Sequence, residues 1–155
     1  MEIRDIHSLL SGQRLMTLAT CRDGQPWCAA VYYAHRGNRF YFFSSARSRH
    51  IQELLDGAGP AAASISVDHP DWREIRGVQM SGQVAPVRTT ADRWSALRLY
   101  LRKFPFVKNF LREMAASGRL RLEQLLGQSL FVFTAQESYY LDNARGFGQR
   151  VPFRF

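Results

Sequence analysis

Ser44-Ser45-Ala46-Arg47-Ser48-Arg49-His50 gathers three hydroxyls, two guanidiniums and an imidazole into seven consecutive residues. Beyond them Ile51, Leu54 and Leu55 fall on one helical face and Gly57 supplies a stop, so a helix is expected within Ser44–Gly57, capped by Ser48. The first turn of a helix presents unpaired N–H groups and the positive end of its dipole. Hydroxyls and arginine forks added to that end make an anion site, most naturally for a phosphate monoester. An ordinary Ser-capped helix with solvated arginines is the other reading of the same residues. His50 lies beside the cluster, where an imidazole serves as a hydrogen-bonding or structural group.

Other chemistry finds few residues to work with. His7, His35, His50 and His69 are scattered, with neither HExxH nor HxH spacing, so no dedicated metal site is expected. Cys21 and Cys28 form no CxxC and read as structural thiols. No serine stands in GxSxG, no glycine-rich phosphate loop occurs, and no carboxylate pair stands out. Hydrolase and nucleoside-triphosphatase readings therefore fall away. The arginine-rich stretch from Arg93 to Arg121, with Trp94, Tyr100 and Phe104 interleaved, has the composition of a nucleic-acid footprint. Its aromatics, however, largely follow a core-facing stripe, and arginines on the far side of an amphipathic helix are its solvated face. Nucleic acid is not an expected partner.

The elements that must position the Ser/Arg cluster are mostly strands. Ile3, Ile6 and Leu10 recur at helical spacing before Ser11-Gly12, which predicts a short opening helix. Leu15–Thr20 and Pro26–Tyr33 read as strands joined at Asp23-Gly24, the strongest short hairpin signal. Arg39–Phe43 is a third strand after a turn at Gly37-Asn38. Strand patterns resume at Ala62–Val67 and over Ile75–Val87, where Val78, Met80 and Val84 alternate with Gln79, Ser81 and Gln83, turning Gln79 away from the aliphatic face. From Thr90 the period is helical. Ala91, Trp94, Leu97, Leu101 and Phe104 form the expected stripe, Phe104-Pro105 breaks it, and Val107, Phe110, Leu111 and Met114 predict a second helix ending at Ser117-Gly118. This makes a helical insertion over about 90–118. Leu130–Phe133 and Tyr139–Leu141 return to strand composition before a Gly-, Arg- and Phe-rich tail from Asn143.

The chain has 155 residues, 46% hydrophobic and 22% charged, which fits one globular domain over 1–155 and excludes dominant disorder. No apolar run reaches the ~18 residues of a membrane span, and the first residues lack the layout of a secretory signal. A soluble cytoplasmic protein is expected. The net charge of +8 lies wholly in residues 76–155, the first 75 being neutral, and nearly all of it is arginine. Arginine suits an anionic partner.

Helix, LATCRDGQPW, FFSSARSRH and IRGVQMSGQV, in this order, resemble the pyridoxamine 5'-phosphate oxidase-like FMN-binding split barrels. Within them the chain is most similar to the uncharacterised YhbP-like branch, through Trp27-Cys28-Ala29, Arg49-His50, Ile75-Arg76-Gly77-Val78-Gln79, Phe104-Pro105, Leu141-Asp142-Asn143 and Gly146-Phe147-Gly148. The likeness spans about Ile3 to Gln149.

The resemblance implies a mainly β fold with helices, a six-stranded antiparallel split β-barrel carrying the helical insertion. It also implies a homodimer with FMN at its interface. The phosphate would fall to Ser44, Ser45, Arg47, Ser48 and Arg49, with His50 beside them. The backbone of Cys28, Ala29 and Ala30 would run beside the flavin, and Gln79 would reach toward it. The C-terminal Trp and Arg-Leu-His-Asp-Arg segment with which true oxidases hold pyridoxamine phosphate has no counterpart here. Asn143, Gly146 and Phe147 stand there instead, for a substrate or for the partner subunit. The implied function is an FMN-dependent oxidoreductase on another small molecule, with NAD(P)H as a candidate electron donor. The alternative is a non-enzymatic module of the same fold holding a flavin, a deazaflavin or haem.

Overall fold

The computed structural model describes residues 3–54, 58–116 and 130–155. Helix α1 (Ile3–Gly12) precedes strands β1 (Leu15–Arg22), β2 (Gln25–Arg36) and β3 (Arg39–Phe43). A single helical turn, α2 (Arg49–Gln52), is followed by β4 (Gly59–Ser66), a 3₁₀ turn at Trp72–Glu74 and β5 (Arg76–Pro86). Helices α3 (Thr90–Lys103) and α4 (Pro105–Ala116) come next, then β6 (Leu130–Asp142) and β7 (Arg150–Pro152).

All pairings are antiparallel, in the order β3-β2-β1-β4-β5-β6-β7, and β3 also pairs with β6. Six strands therefore close a ring, and β7 adds to it from outside. β6 is the seam. One edge pairs with β5 along its length, while the other pairs with β3 over Leu130–Thr134 and with β7 over Tyr139–Leu141. The two short strands expected at Leu130–Phe133 and Tyr139–Leu141 are one continuous strand: Gln136 and Glu137 between them are exposed, and the ladder with β5 resumes across a register shift at Gln136.

The turns follow from residue type. Asp23 and Gly24 have φ of 52° and 73°, the left-handed pair that a two-residue hairpin with the twist of its strands requires. At Gly82 the β5–β6 register shifts past Gln136 of β6, and the backbones come so close that an added Cβ would lie 2.1 Å from the Thr134 carbonyl oxygen. Only glycine fits there.

Two apolar clusters share the strands. Met16, Leu18, Tyr33, Phe40, Phe42, Ile65, Val78 and Phe133 fill the ring, with α1 closing one side through Ile6, Leu9 and Leu10. Tyr41 and Val132 point the opposite way and meet Ala96, Leu99 and Tyr100 of α3 and Phe104 at its C-cap. Strand β3 is buried on both faces, which explains its run of aromatics. The face α3 presents differs from the stripe expected: Leu97 and Phe104 are buried, but Ala91 and Trp94 are exposed. Ala96 lets the helix approach the sheet, and the Tyr100 hydroxyl donates to the Tyr32 carbonyl, which together rotate Trp94 outward. Pro105 opens α4, where its missing N–H costs nothing. The stop expected at Ser117-Gly118 lies outside the described residues.

Candidate functional site

The helices cover β2, β3 and β6 on one side only. Beyond the helices, on the same outer face, the uncovered residues form a row that crosses the sheet: Ala30, Thr17, Ser64, Gln79, Tyr139 and Pro152 are successive cross-strand partners from β2 to β7. Cys28, Ala19, Ala62, Ser81 and Glu137 form the parallel row beside it. Gln79 is half-buried between the buried Val78 and Met80, so it does face away from the aliphatic core. Three strand spacings of about 4.8 Å put it roughly 14 Å from Ala30. Cys28 and Ala30 are exposed and Ala29 half-exposed, so this half of β2 is a low, open surface. Both cysteines are exposed free thiols, and the structural reading fails for them because neither fills the core.

Residues 44–54 continue from β3 past the open half of β2. The helix expected within Ser44–Gly57 is only the turn Arg49–Gln52 among the described residues, so its dipole is slight. Ser48 occupies the cap position but its side chain caps nothing; it donates to the Ser45 carbonyl at 2.5 Å. That bond orders the rest of the network. Ser48 has spent its proton, so Ser44 donates to Ser48 Oγ at 2.8 Å, and His50 Nε2–H donates to Ser44 Oγ at 2.8 Å. His50 is buried, and burial lowers its pKa against a smaller opposing pull from Glu53. It serves as a neutral brace under the loop.

Three groups then point outward. Ser45 accepts from the Arg47 backbone N–H at 3.1 Å and keeps its proton to donate. The Arg47 guanidinium makes no hydrogen bond or ion pair among the described residues, and the side chain is exposed. Arg49 is held differently. Its Nε bonds Glu53 Oε1 at 2.6 Å and its guanidinium lies over the Trp27 ring, leaving both terminal nitrogens available. The other oxygen of Glu53 accepts from Thr20 Oγ1 at 2.5 Å, and Arg22 Nη1 donates to the Gln52 carbonyl. The Thr20 hydroxyl and then Arg49 hold the Glu53 carboxyl below the usual range. The loop is thus pinned to the β1–β2 hairpin at its far end while its arginine forks remain outside.

Sequence reasoning missed Glu53, Thr20, Trp27 and Arg150 as parts of this arrangement. Glu53 carried a signal, being four residues beyond Arg49. Nothing in spacing announces Arg150, whose Nε donates to Gln79 Oε1 at 2.7 Å from β7. The tail residues gather elsewhere. Asn143 Nδ2 donates to the Trp72 carbonyl, and the exposed Phe147 ring stands edge-on to Trp72 at 5.0 Å. Gly146 lies against Gln149, where a Cβ would meet its side chain at 2.6 Å. Asn143, Gly146 and Phe147 therefore form a clasp at Trp72, and none of them touches the Ser44–His50 loop.

Residues 4–141 match the family model described as pyridoxamine 5'-phosphate oxidase. The chain belongs to that family. Within it the chain sits with the YhbP-like members: the UPF0306 protein YhbP of Salmonella arizonae is 26% identical over 92% of this chain and 86% of that protein. Among solved structures, a heme binding protein from Mycobacterium smegmatis superposes with a TM-score of 0.70 at 17% identity. The likeness covers 94% of this chain, which spans 55% of that longer protein. A FAD-binding protein from Mesorhizobium loti gives a TM-score of 0.62 at 15% identity, over 89% and 92% of the two chains. At these identities the likeness is one of fold, the antiparallel split barrel built here by β1 to β6. No described helix is long and apolar enough to cross a membrane.

Proposed function

We propose that this protein is an FMN-binding flavoprotein that works as a homodimer and transfers electrons to or from a small molecule. The observation that carries the reading is the Arg47 guanidinium, unpartnered beside the Ser45 hydroxyl and the terminal nitrogens of Arg49, on a loop whose inner hydrogen bonds are already satisfied. That set fits a dianionic phosphate monoester. Cys28, Ala29 and Ala30 lie along the adjacent open half of β2, where small side chains let a flat ring approach the backbone. Gln79 shares the outer row with Ala30 and offers an amide N–H₂, its oxygen being bonded to Arg150. Ser44 and Ser48 act inside the loop, as supports for Ser45 and Arg47, and His50 braces them. A bound flavin supplies the redox chemistry; the protein supplies orientation and charge.

The dimer follows from the same face. The outer face carries Leu15, Tyr32 and Tyr139, each more than a third exposed, on a surface too open to enclose a ring system by itself. A second copy laid on it would complete the walls. Haem is the weaker alternative, because His50, the imidazole at the site, has its Nε2 bonded to Ser44.

Pyridoxamine 5'-phosphate is not the substrate in this reading. The tail makes a Trp72–Phe147 clasp and pairs Arg145 with Asp5 and Asp142, and the basic segment that would hold a substrate phosphate has no counterpart in it. The absorption spectrum of the purified protein, with FMN and riboflavin titrations followed by fluorescence quenching, tests the proposal. FMN is expected to bind far more tightly than riboflavin, and equal affinities would refute it. Light scattering should give a dimer mass for the FMN-bound form. Pyridoxal phosphate production at the turnover of a true oxidase would overturn the substrate reading alone.

A further inference from the structure

A second cluster of basic groups lies where α3 ends against α1 and β2, and among the described residues it has no acidic counterpart. Ser11, His35, Arg102 and Lys103, with Ala34 and Leu99, line a recess of about 220 Å³. Lys103 Nζ reaches under α3 to donate to the Leu10 carbonyl at 3.0 Å and sits 3.7 Å above the Tyr33 ring. Both partners are neutral. Among the described residues no carboxylate pairs with Lys103 or Arg102. A half-covered ammonium is ordinarily paired, because desolvation without a counter-charge is costly.

The groups facing Lys103 add to the imbalance. From β2 come the Tyr33 ring and His35; from α1 comes His7, whose ring stacks on His35 at 6.4 Å; from its own helix comes Arg102. Tyr33 stays neutral, since burial pushes its phenol up and its hydroxyl donates to the same Leu10 carbonyl. His35 donates from Nδ1 to the Gly37 carbonyl at 3.3 Å, which leaves Nε2 as its uncommitted nitrogen. At ~30 Å³ per water the recess has room for about seven waters, or a small anion with part of its shell.

We propose that this recess binds a small oxyanion between Lys103, Arg102, His35 and the Ser11 hydroxyl. The site is separate from the Ser44–His50 loop and does not depend on FMN. An anion there would supply the missing counter-charge and tie the end of α3 to the end of α1. Two protonation equilibria should report it. Burial holds the Lys103 ammonium down to about 8. Burial, with repulsion from Lys103 and His7, lowers His35 against the pull of the Gly37 carbonyl. An anion favours both charged forms, so both values should rise on binding, and reciprocally affinity should fall as pH rises through about 8.

The full chain has only two lysines, Lys103 and Lys108, so their side-chain resonances can be followed by NMR in sulfate, in acetate and in chloride of equal ionic strength. Sulfate keeps its charge across this pH range, and acetate tests the carboxylate class. One or both should raise the Lys103 value while leaving Lys108 unmoved. Coupling of the usual size would weaken binding by roughly 5- to 150-fold from neutral to alkaline pH. Lys103→Gln should lose the response, whereas Lys103→Arg should bind the anion with no loss above pH 8. No response beyond that in chloride, Lys103 and Lys108 moving together, or undiminished binding by Lys103→Gln would overturn the proposal. Should Lys103→Gln fail to fold, the contrast between wild type and Lys103→Arg decides the matter.

Discussion

The Arg49 guanidinium lies 4.3 Å above the centre of the Trp27 ring while its Nε holds Glu53. The stack fixes one arginine of the candidate phosphate loop against the strand beside which the flavin is proposed to lie. Arg47, two residues earlier, has no such anchor.

The two arginines should therefore separate when replaced. Arg47→Ala is expected to weaken FMN binding about 10- to 100-fold, from ~1.5–3 kcal/mol per hydrogen bond to a charged group and ~1.4 kcal/mol per tenfold. It should leave stability and riboflavin binding unchanged. Arg49→Ala should weaken FMN binding similarly and also lower stability, since it uncovers Trp27 and releases Glu53. Fluorescence titrations and urea melts on the two variants check the split.

Glu53 makes the loop's anchorage sensitive to acid. Its carboxyl is held low by Thr20 and Arg49, so the stabilisation is fully present above the unfolded value of about 4.3 and is lost as pH falls through the lower folded value. Glu53→Gln should be less stable than wild type at pH 7, with the gap closing in acid. Urea melts at pH 7 and pH 3 measure this, and a gap that widens in acid would contradict it.

Gly82→Ala should destabilise the barrel by at least the ~1–3 kcal/mol of an overpacked core, because the Thr134 carbonyl oxygen stands 2.1 Å from the new Cβ and belongs to backbone that cannot step aside. Gly24→Ala offers the contrast. Nothing surrounds its Cβ, so only the cost of a positive φ should appear. Thermal melts of both variants test the difference.

Tyr100→Phe removes a hydroxyl that donates to the Tyr32 carbonyl from beneath α3. Leaving that acceptor unsatisfied should cost about 1–3 kcal/mol. The loss should fall on the insertion, seen as faster hydrogen exchange in α3 than in β1 and β4.

Local chemistry was readable where one residue type settles the conformation. Asp23-Gly24 announces its turn, and the alternation around Gln79 announces its outward face. The exposed position of Trp94 was not readable, since α3 carries apolar residues on more than one side and its seating is decided by Ala96 and Tyr100 against the sheet. β7 was missed because Arg150-Val151-Pro152 is too short and polar to look like a strand; it pairs because Tyr139–Leu141 leaves an edge for it. In the site, Arg47 and Ser45 could be read from local sequence. The tie from Glu53 to Thr20 spans 33 residues, and no local pattern encodes it.

The seam at β6 also sets the order in which the ring can be made. Asn38 Nδ2 donates to the Ala135 carbonyl and the Ala135 N–H donates to the Asn38 carbonyl, across 97 residues of sequence. Closing so long a loop costs about 4 kcal/mol of chain entropy before any contact offsets it. The four hairpin-linked and neighbouring strands β3-β2-β1-β4, with β5, can assemble as an open sheet while β6 is still on the ribosome. Until β6 arrives, β3 and β5 are bare edges, and β3 presents an aromatic run to any other strand. A chain truncated before Leu130 would stay in that state, so its expected fate is aggregation through β3 rather than a smaller soluble barrel.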